Sequence, residues 1–300
     1  MIQTKNTPPV IAGIGEILWD IVEDSEELGG APVNFAYHAG ALGAEAYAIS
    51  SIGDDERGTA TLKELAKRGM STAHISILPG AVTGYVKAEV DVQGIATYTF
   101  PDNVAWDTLS VSRETMTFGQ QLDAVCFGSL AQRAEKSRET ILDFLQNRAP
   151  DALKVFDVNI RQQFYTKEII RTSLECADVL KLNDEEIVLL AEMENLSGPN
   201  EEQLKALVNR YQLNLAVLTC GDKGSILVTA NEVSRHPGYA SQVVTTIGAG
   251  DSFTATTVLG LLGGHSLDSI NEHANRVAAY VCSQQGAMPP LPENVSPGFF

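Results

Sequence analysis

The sequence predicts an α/β fold: a three-layer α/β/α sandwich on a mostly parallel sheet, with a small β lid. Two observations carry this. Short apolar runs alternate with helix-length amphipathic stretches along most of the chain, the pattern of βα units. Between residues 82 and 100 the period changes to two, with Val86, Ala88, Val90 and Val92 alternating with Lys87, Glu89 and Asp91 before Gly94 interrupts the run. That stretch is a hairpin, out of step with the rest. A chain of 300 residues, 44% hydrophobic, suffices for one large core plus such an appendage.

The totals exclude several function classes. A net charge of −17 argues against a nucleic-acid or anionic-membrane surface. It also requires any nucleotide site to be organised locally, because the global field opposes the ligand. No apolar run reaches ~18 residues, so no membrane-spanning helix is expected. Residues 1–9 are polar and carry no signal-peptide core. Cys126, Cys176, Cys220 and Cys282 lie far apart without a Cys-x-x-Cys pair, which fits free thiols in a reducing cytoplasm.

Taken in order, residues 10–18 read as the first strand, bounded by Pro9 and running through Gly15-Glu16-Ile17-Leu18-Trp19 to Asp20. Ligands of doubly wound sheets bind at the carboxyl ends of strands. A carboxylate there can accept hydroxyl hydrogen bonds; it can equally be a solvated loop Asp. In Gly29-Gly30-Ala31-Pro32-Val33-Asn34 the glycine pair permits close backbone approach and Pro32 can start a helix. Asn34 would then lie on the first helical turn, near the same mouth. A Gly-rich turn capping an Ala-rich helix explains the glycines but not Asn34. Residues 36–42 read as helix, 46–52 as strand and 59–68 as helix, with Asp54 a natural N-cap. After the hairpin, Asn103-Val104-Ala105-Trp106-Asp107 brings the chain back. There Asn103 is the better candidate for a ligand contact, while Trp106 is more often packing than stacking.

Residues 124–128 form a short buried strand, 137–148 a helix and 154–158 a strand running into Asp157-Val158-Asn159-Ile160-Arg161. Arg161 could bind phosphate or a substrate oxygen, or form a structural salt bridge to Asp157. Residues 178–182 are the next strand, and Asn183-Asp184-Glu185-Glu186 opens a helix, where acidic residues suit the dipole in any case. A strand at 215–219 leads into Cys220-Gly221-Asp222-Lys223-Gly224. Lys223 invites a Walker reading, but Gly-x-x-x-x-Gly-Lys-Ser/Thr is absent. A tight hairpin before a strand at 225–228 explains the glycines equally well.

Thr246-Ile247-Gly248-Ala249-Gly250-Asp251 is the stretch that organises the rest. Small residues let amides turn inward, and the apolar run at 252–262 predicts a helix whose positive end faces that turn. This is an anion site suited to a phosphoryl group. Asp251 is the oddity, since a carboxylate repels the anion. It makes sense as the acceptor of a proton from an attacking hydroxyl, or as a helix cap. A helix at 270–282 carries Asn275 and Ala279, and the Pro-rich tail at 290–300 is peripheral.

These motifs together resemble the PfkB (ribokinase-like) carbohydrate kinases, over about residues 15–289. Thr246, Gly248, Ala249, Gly250 and Asp251 fit the C-terminal signature D-T-x-G-A-G-D, with Thr245 replacing its first Asp. Gly29, Gly30 and Asn34 fit the N-terminal signature, in a Gly-Gly-Ala-Pro-x-Asn variant similar to fructokinases. Asp-x-Asn-x-Arg at 157–161, Asn-x-x-Glu at 183–186 and Thr-x-Gly-x-x-Gly at 219–224 follow in family order.

The resemblance implies a single ribokinase-like domain over 1–300, with a lid from about 82–107 and part of about 17–30. It implies an ATP-dependent kinase in which Asp251 is the base and Gly248, Ala249 and Gly250 form the anion hole. Asp20, Gly29, Gly30, Asn34, Asn103 and Arg161 would hold the sugar. Thr219, Gly221, Gly224, Asn183, Asn275 and Ala279 would line the nucleotide site, and Asn183 and Glu186 would organise Mg2+ through water. A homodimer through the lid is a further implication. Replacement of Asp by Thr245 predicts weak or absent potassium dependence. A fructokinase is the leading expectation. A kinase for 2-keto-3-deoxygluconate or a nucleoside, or a non-catalytic sugar- or nucleotide-binding protein, is the alternative. No Lys or Arg occurs in 97–107, which favours a neutral sugar.

Overall fold

The computed structural model describes residues 7–22, 25–90 and 96–295. Its first strand, β1 (Val10–Ile14), is buried, and Gly15 then turns the chain at a φ of 149°. The expected strand over 10–18 is therefore two. Leu18 opens β2 (Leu18–Val22), which pairs antiparallel with β3 (Ser25–Gly29) outside the main sheet. A positive φ at position 15 is open to glycine, and it lets the chain leave the main sheet at the carboxyl end of β1, between β8 and β4.

The chain returns at α1 (Ala31–Ala41), with Pro32 in its first turn, and continues through β4 (Glu45–Gly53), α2 (Glu56–Lys67) and β5 (Ile75–Leu78). The N-cap of α2 is Asp55, whose carboxylate accepts the Gly58 amide, rather than Asp54, whose carboxylate accepts the Gly80 amide. The hairpin is present as β6 (Tyr85–Val90) and β7 (Ala96–Thr99), antiparallel; the expected break at Gly94 lies outside the described residues. Strand β6 pairs parallel with β2, so the lid is a four-stranded sheet in the order β3-β2-β6-β7.

The second half follows α3 (Arg113–Phe118), β8 (Ala124–Gly128), α4 (Glu135–Asp143), β9 (Leu153–Asp157), α5 (Lys167–Cys176), β10 (Val179–Asn183), α6 (Asp184–Glu194), α7 (Asn200–Tyr211) and β11 (Leu215–Thr219). It closes with β12 (Ser225–Val228), β13 (Val233–His236), α8 (Ala249–Leu262) and α9 (Leu267–Cys282). The stretch expected as one helix to 148 ends as a π-helical turn over Phe144–Arg148. The nine-stranded main sheet runs β13-β12-β11-β10-β9-β8-β1-β4-β5, antiparallel only at β11-β12-β13.

Strand periodicity fills both faces. On β8, Cys126 packs with α1, α8 and α9 through Phe35, Phe253 and Val277, while Val125 and Phe127 face the layer of α4–α7 through Ile141, Leu174 and Leu190. Helix α8 lies between α1 and α9, and Ser252–Gly260 are buried on all sides. Its small residues make that possible. Gly260, for instance, has Ile270 where a Cβ would stand. Among the described residues no helix is long and apolar enough to cross a membrane.

Candidate functional site

Helix α8 starts from Gly248, which is left-handed at φ 79°; a Cβ there would stand 2.2 Å from the Ala287 carbonyl oxygen. Glycine is thus required twice at the turn. The first-turn amides of a helix lack intrahelical acceptors and project from its end. Here that of Ala249 meets the Thr246 carbonyl at 3.4 Å. Asp251 is the third residue of α8 and makes no capping hydrogen bond, so the cap account fails. Its Oδ2 instead accepts from Asn34 Nδ2 at 2.8 Å, across from α1. Burial first, then repulsion from Asp157, pushes the Asp251 carboxyl up to about 6; Asn34, Lys181 and Arg161 pull the other way.

Beneath that turn lies a residue the sequence reading passed over. Lys181, 7% exposed, donates to Asp157 Oδ1 at 3.0 Å, and a Cβ on Gly250 would meet its Nζ at 2.9 Å. The Thr254 hydroxyl lies 3.1 Å from Asp157 Oδ2 and 2.9 Å from the Gly250 carbonyl oxygen. Asp157 therefore pairs with Lys181 and not with Arg161. Arg161 is exposed and donates to the Ile160 carbonyl at 3.1 Å, while its charge pulls down the carboxyls of Glu16, Asp20 and Asp251.

At the end of β10, Asn183 and Glu186 cap α6 reciprocally: Asn183 Oδ1 accepts the Glu185 and Glu186 amides, and Glu186 Oε2 accepts the Asn183 amide. Glu186 Oε1 also accepts the Ile160 amide at 2.9 Å, tying this corner to the Arg161 segment. Burial raises the Glu186 carboxyl above its ordinary value against the pull of Lys181. Among the described residues no group of three or more side chains could hold a metal directly. Glu186, buried, and Asn183, half-buried, are already hydrogen-bonded within the protein and fit a cation held through its waters, as magnesium is usually held.

Thr219 ends β11 beside Asn183, its register partner. Gly221 stands at φ 56° with open space where a Cβ would be, whereas a Cβ on Gly224 would meet the His236 carbonyl oxygen at 1.9 Å. The second glycine is thus demanded by the hairpin itself. Asn275 Nδ2 is committed inside the protein, to Ser225 Oγ and the Asn271 carbonyl, both at 2.7 Å. Ala279 is half-buried one turn later on α9.

On the lid side, Asp20 sits mid-strand on β2, opposite Glu27. Burial raises its carboxyl to about 6, lowered by Arg161 and raised by Glu27. A Cβ on Gly29 would fall 2.7 Å from Asp20 Oδ2, and one on Gly30, at φ 114°, 2.5 Å from the Glu16 carbonyl oxygen. Asn103 is exposed in a left-handed turn at φ 59°. Trp106 is packing: it is 1% exposed and lies 4.2 Å under the Arg133 guanidinium, which pairs with Asp107.

Glu16, also passed over, is 1% exposed, with Oε2 unpartnered; burial drives its carboxyl to about 7. A charged residue inside an apolar strand run was the available signal for both Glu16 and Lys181. Thr254 gave none.

The model of one family, the pfkB family carbohydrate kinases, matches residues 16–294. The chain belongs to that family. An uncharacterized sugar kinase from Pyrococcus horikoshii is 28% identical over 93% of this chain and 91% of its own. The fructokinase of Escherichia coli is 27% identical over 93% and 95%. A crystal structure of the Pyrococcus kinase in complex with ATP superposes with a TM-score of 0.80 at 27% identity, over 93% of this chain and 94% of that one. The family fold, a large mostly parallel sheet with a four-stranded lid sheet, is the one described above.

Proposed function

We propose that this family member is an ATP-dependent kinase for a primary hydroxyl of a neutral sugar, and that its acceptor is fructose. One observation carries the mechanism. A half-buried carboxylate, Asp251, is raised towards neutrality and held by Asn34 at the mouth of a helix whose first turn is an anion site. A base near pH 6 is ionised at neutral pH and still has appreciable proton affinity. Asp251 takes the proton as the hydroxyl attacks the γ-phosphoryl group in line. Amides of the Ala249-Gly250-Asp251 turn meet the developing charge without reorganising. Asp20 and Asn34, with Gly29, Gly30, Asn103 and Arg161, orient the acceptor. Thr219, Gly221 and Gly224, with Asn275 and Ala279, take the nucleotide. Asn183 and Glu186 would hold hydrated magnesium, which neutralises phosphate oxygens when bound.

The neutral acceptor rests on charge. The lid-return segment 97–107 has no cation, and the nearby Arg133 is spent on Asp107, its Nε and Nη2 each at 2.8 Å from a carboxylate oxygen. Arg161 is the cation that an acidic sugar would recruit. A lid-to-lid homodimer belongs to the same reading, with Val22 and Tyr98 exposed on lid strands; a monomeric sedimentation coefficient would remove it. The deciding assay is ADP release with magnesium-ATP across fructose, 2-keto-3-deoxygluconate, ribose, glucose and adenosine. Fructose preference is the expected outcome. Preference for 2-keto-3-deoxygluconate would move specificity onto Arg161, and ATP binding without turnover on a wide sugar panel would overturn the kinase reading.

A further inference from the structure

The first turn of α8 stands on a buried ion pair. Lys181 and Asp157 face each other in the β9–β10 register and close at 3.0 Å, 7% and 3% exposed. The pair touches α8 at two points. Nζ of Lys181 occupies the space beside Gly250, the residue before Asp251, and Asp157 Oδ2 meets Thr254, three residues after it. Charges set in the interior against the helical turn that carries a carboxylate act on it more strongly than surface charges and are little screened by salt. Yet the pair makes no hydrogen bond to the Asp251 carboxylate, whose Oδ2 is held by Asn34.

We propose that the Asp157–Lys181 pair sets the pH at which Asp251 releases its proton, its two members acting as positioning residues of opposite sign. This rests on Asp251 as the base in the reading above. Asp157 holds the proton on Asp251 and Lys181 helps to drive it off. The other groups bearing on Asp251 are Asn34 from α1, Arg161 from the segment after β9, Glu16 from the β1–β2 connection and Cys126 from β8. The last two are uncharged or partly protonated near neutrality, since burial raises both. Lys181 is held as a cation by its 3.0 Å ion pair with Asp157.

A propping role and a tuning role differ in sign. If the pair only supports α8, losing either member lowers turnover and leaves the pH midpoint in place. If it tunes Asp251, Asp157→Asn moves the midpoint down and Lys181→Met moves it up, each by roughly one pH unit. The double variant Asp157→Asn/Lys181→Met, which leaves no unpaired buried charge, returns it close to wild type. The near-isosteric Asp157→Asn and the double variant keep the test alive should Lys181→Met fold poorly. The midpoint is read twice in the full-length protein: from the acid limb of turnover with magnesium-ATP and sugar, and from 13C-carboxyl NMR of Asp251, assigned by its loss in Asp251→Asn. Opposite shifts in the NMR midpoint support the proposal; shifts of one sign, or none, overturn it. If Asp251→Asn stays active while the NMR midpoints move oppositely, the tuning stands and the base assignment falls. If Asp251→Asn is inactive and the midpoints do not move, the base stands and the tuning falls.

Discussion

The two ends of the proposed site are built differently. At the transfer end, Asp157, Lys181 and Glu186 are 3–7% exposed and each is engaged by the protein on strands and helix starts of the main sheet. At the acceptor end, Asp20 rides on the lid, Asn103 and Arg161 are exposed, and Asn34 Oδ1 is buried without a partner. Buried polar atoms are normally satisfied, so an orphaned acceptor facing a site is a place for a ligand's hydroxyl. On the mechanism proposed above, the transfer end is preorganised and the acceptor end is left for its ligand to complete. Such a division lets acceptor preference change without rebuilding the chemistry.

Substitutions at the two ends should fail in different ways, and that is how to break the comparison. Asp251→Asn should lower turnover by ~10²–10⁴-fold while calorimetric nucleotide binding survives. Near-normal turnover would remove Asp251 as the base. At the other end, Asn34→Ala or Asp20→Ala should raise the KM for sugar by roughly 10–100-fold and leave the KM for ATP nearly unchanged, as expected for lost hydroxyl contacts. Equal effects on both substrates would show that the ends are not separable.

Glu16 sharpens the contrast through stability. Its carboxyl stands at about 7 in the fold against an ordinary 4.5. The native state therefore holds the proton more tightly, and stability is lost as pH rises through that window. Below it both states are protonated and nothing is lost. Glu16→Gln should accordingly stabilise the ligand-free protein at pH 8 by up to ~3 kcal/mol, with little effect at pH 4.5. Thermal melts at the two pH values check this, and equal shifts at both would contradict it. The smallest expected effect concerns Thr245, whose hydroxyl accepts the Ile247 amide at 3.2 Å in the loop before α8. Exchange of potassium for sodium should change turnover less than twofold by coupled assay, and a several-fold rise would refute it.

Much of the fold was legible because periodicity reports burial directly. The βα alternation, the period-two hairpin and the helix after Gly250 all stand where the pattern put them. What the pattern hid was partnership. Residues 154–158 and 178–182 both read as strands, yet the local pattern offers Asp157 only Arg161, its near neighbour in sequence, as a possible ionic partner and is silent on Lys181, its neighbour in register. Local sequence shows which face a residue takes, not which strand lies beside it. Asp251 was ambiguous for a similar reason, since the choice between cap and carboxylate in a site depended on Asn34, 217 positions away. The break at Gly15 was hidden by apolar residues on both sides, which serve two different sheets.

The pairing of β2 with β6 has a consequence for how the molecule comes into being. Trp19 lies beside Tyr85 in that ladder, and between them in sequence run α1, β4, α2 and β5, all of the main body. Trp19 also donates its indole N–H to Thr61 on α2, at 2.9 Å. Closing so long an intervening segment costs chain entropy until that segment has itself collapsed. The β2–β6 ladder that joins the lid's two local hairpins is thus expected to close late, on a scaffold that already exists, and on unfolding it should be among the first ladders to surrender its amide protons to solvent.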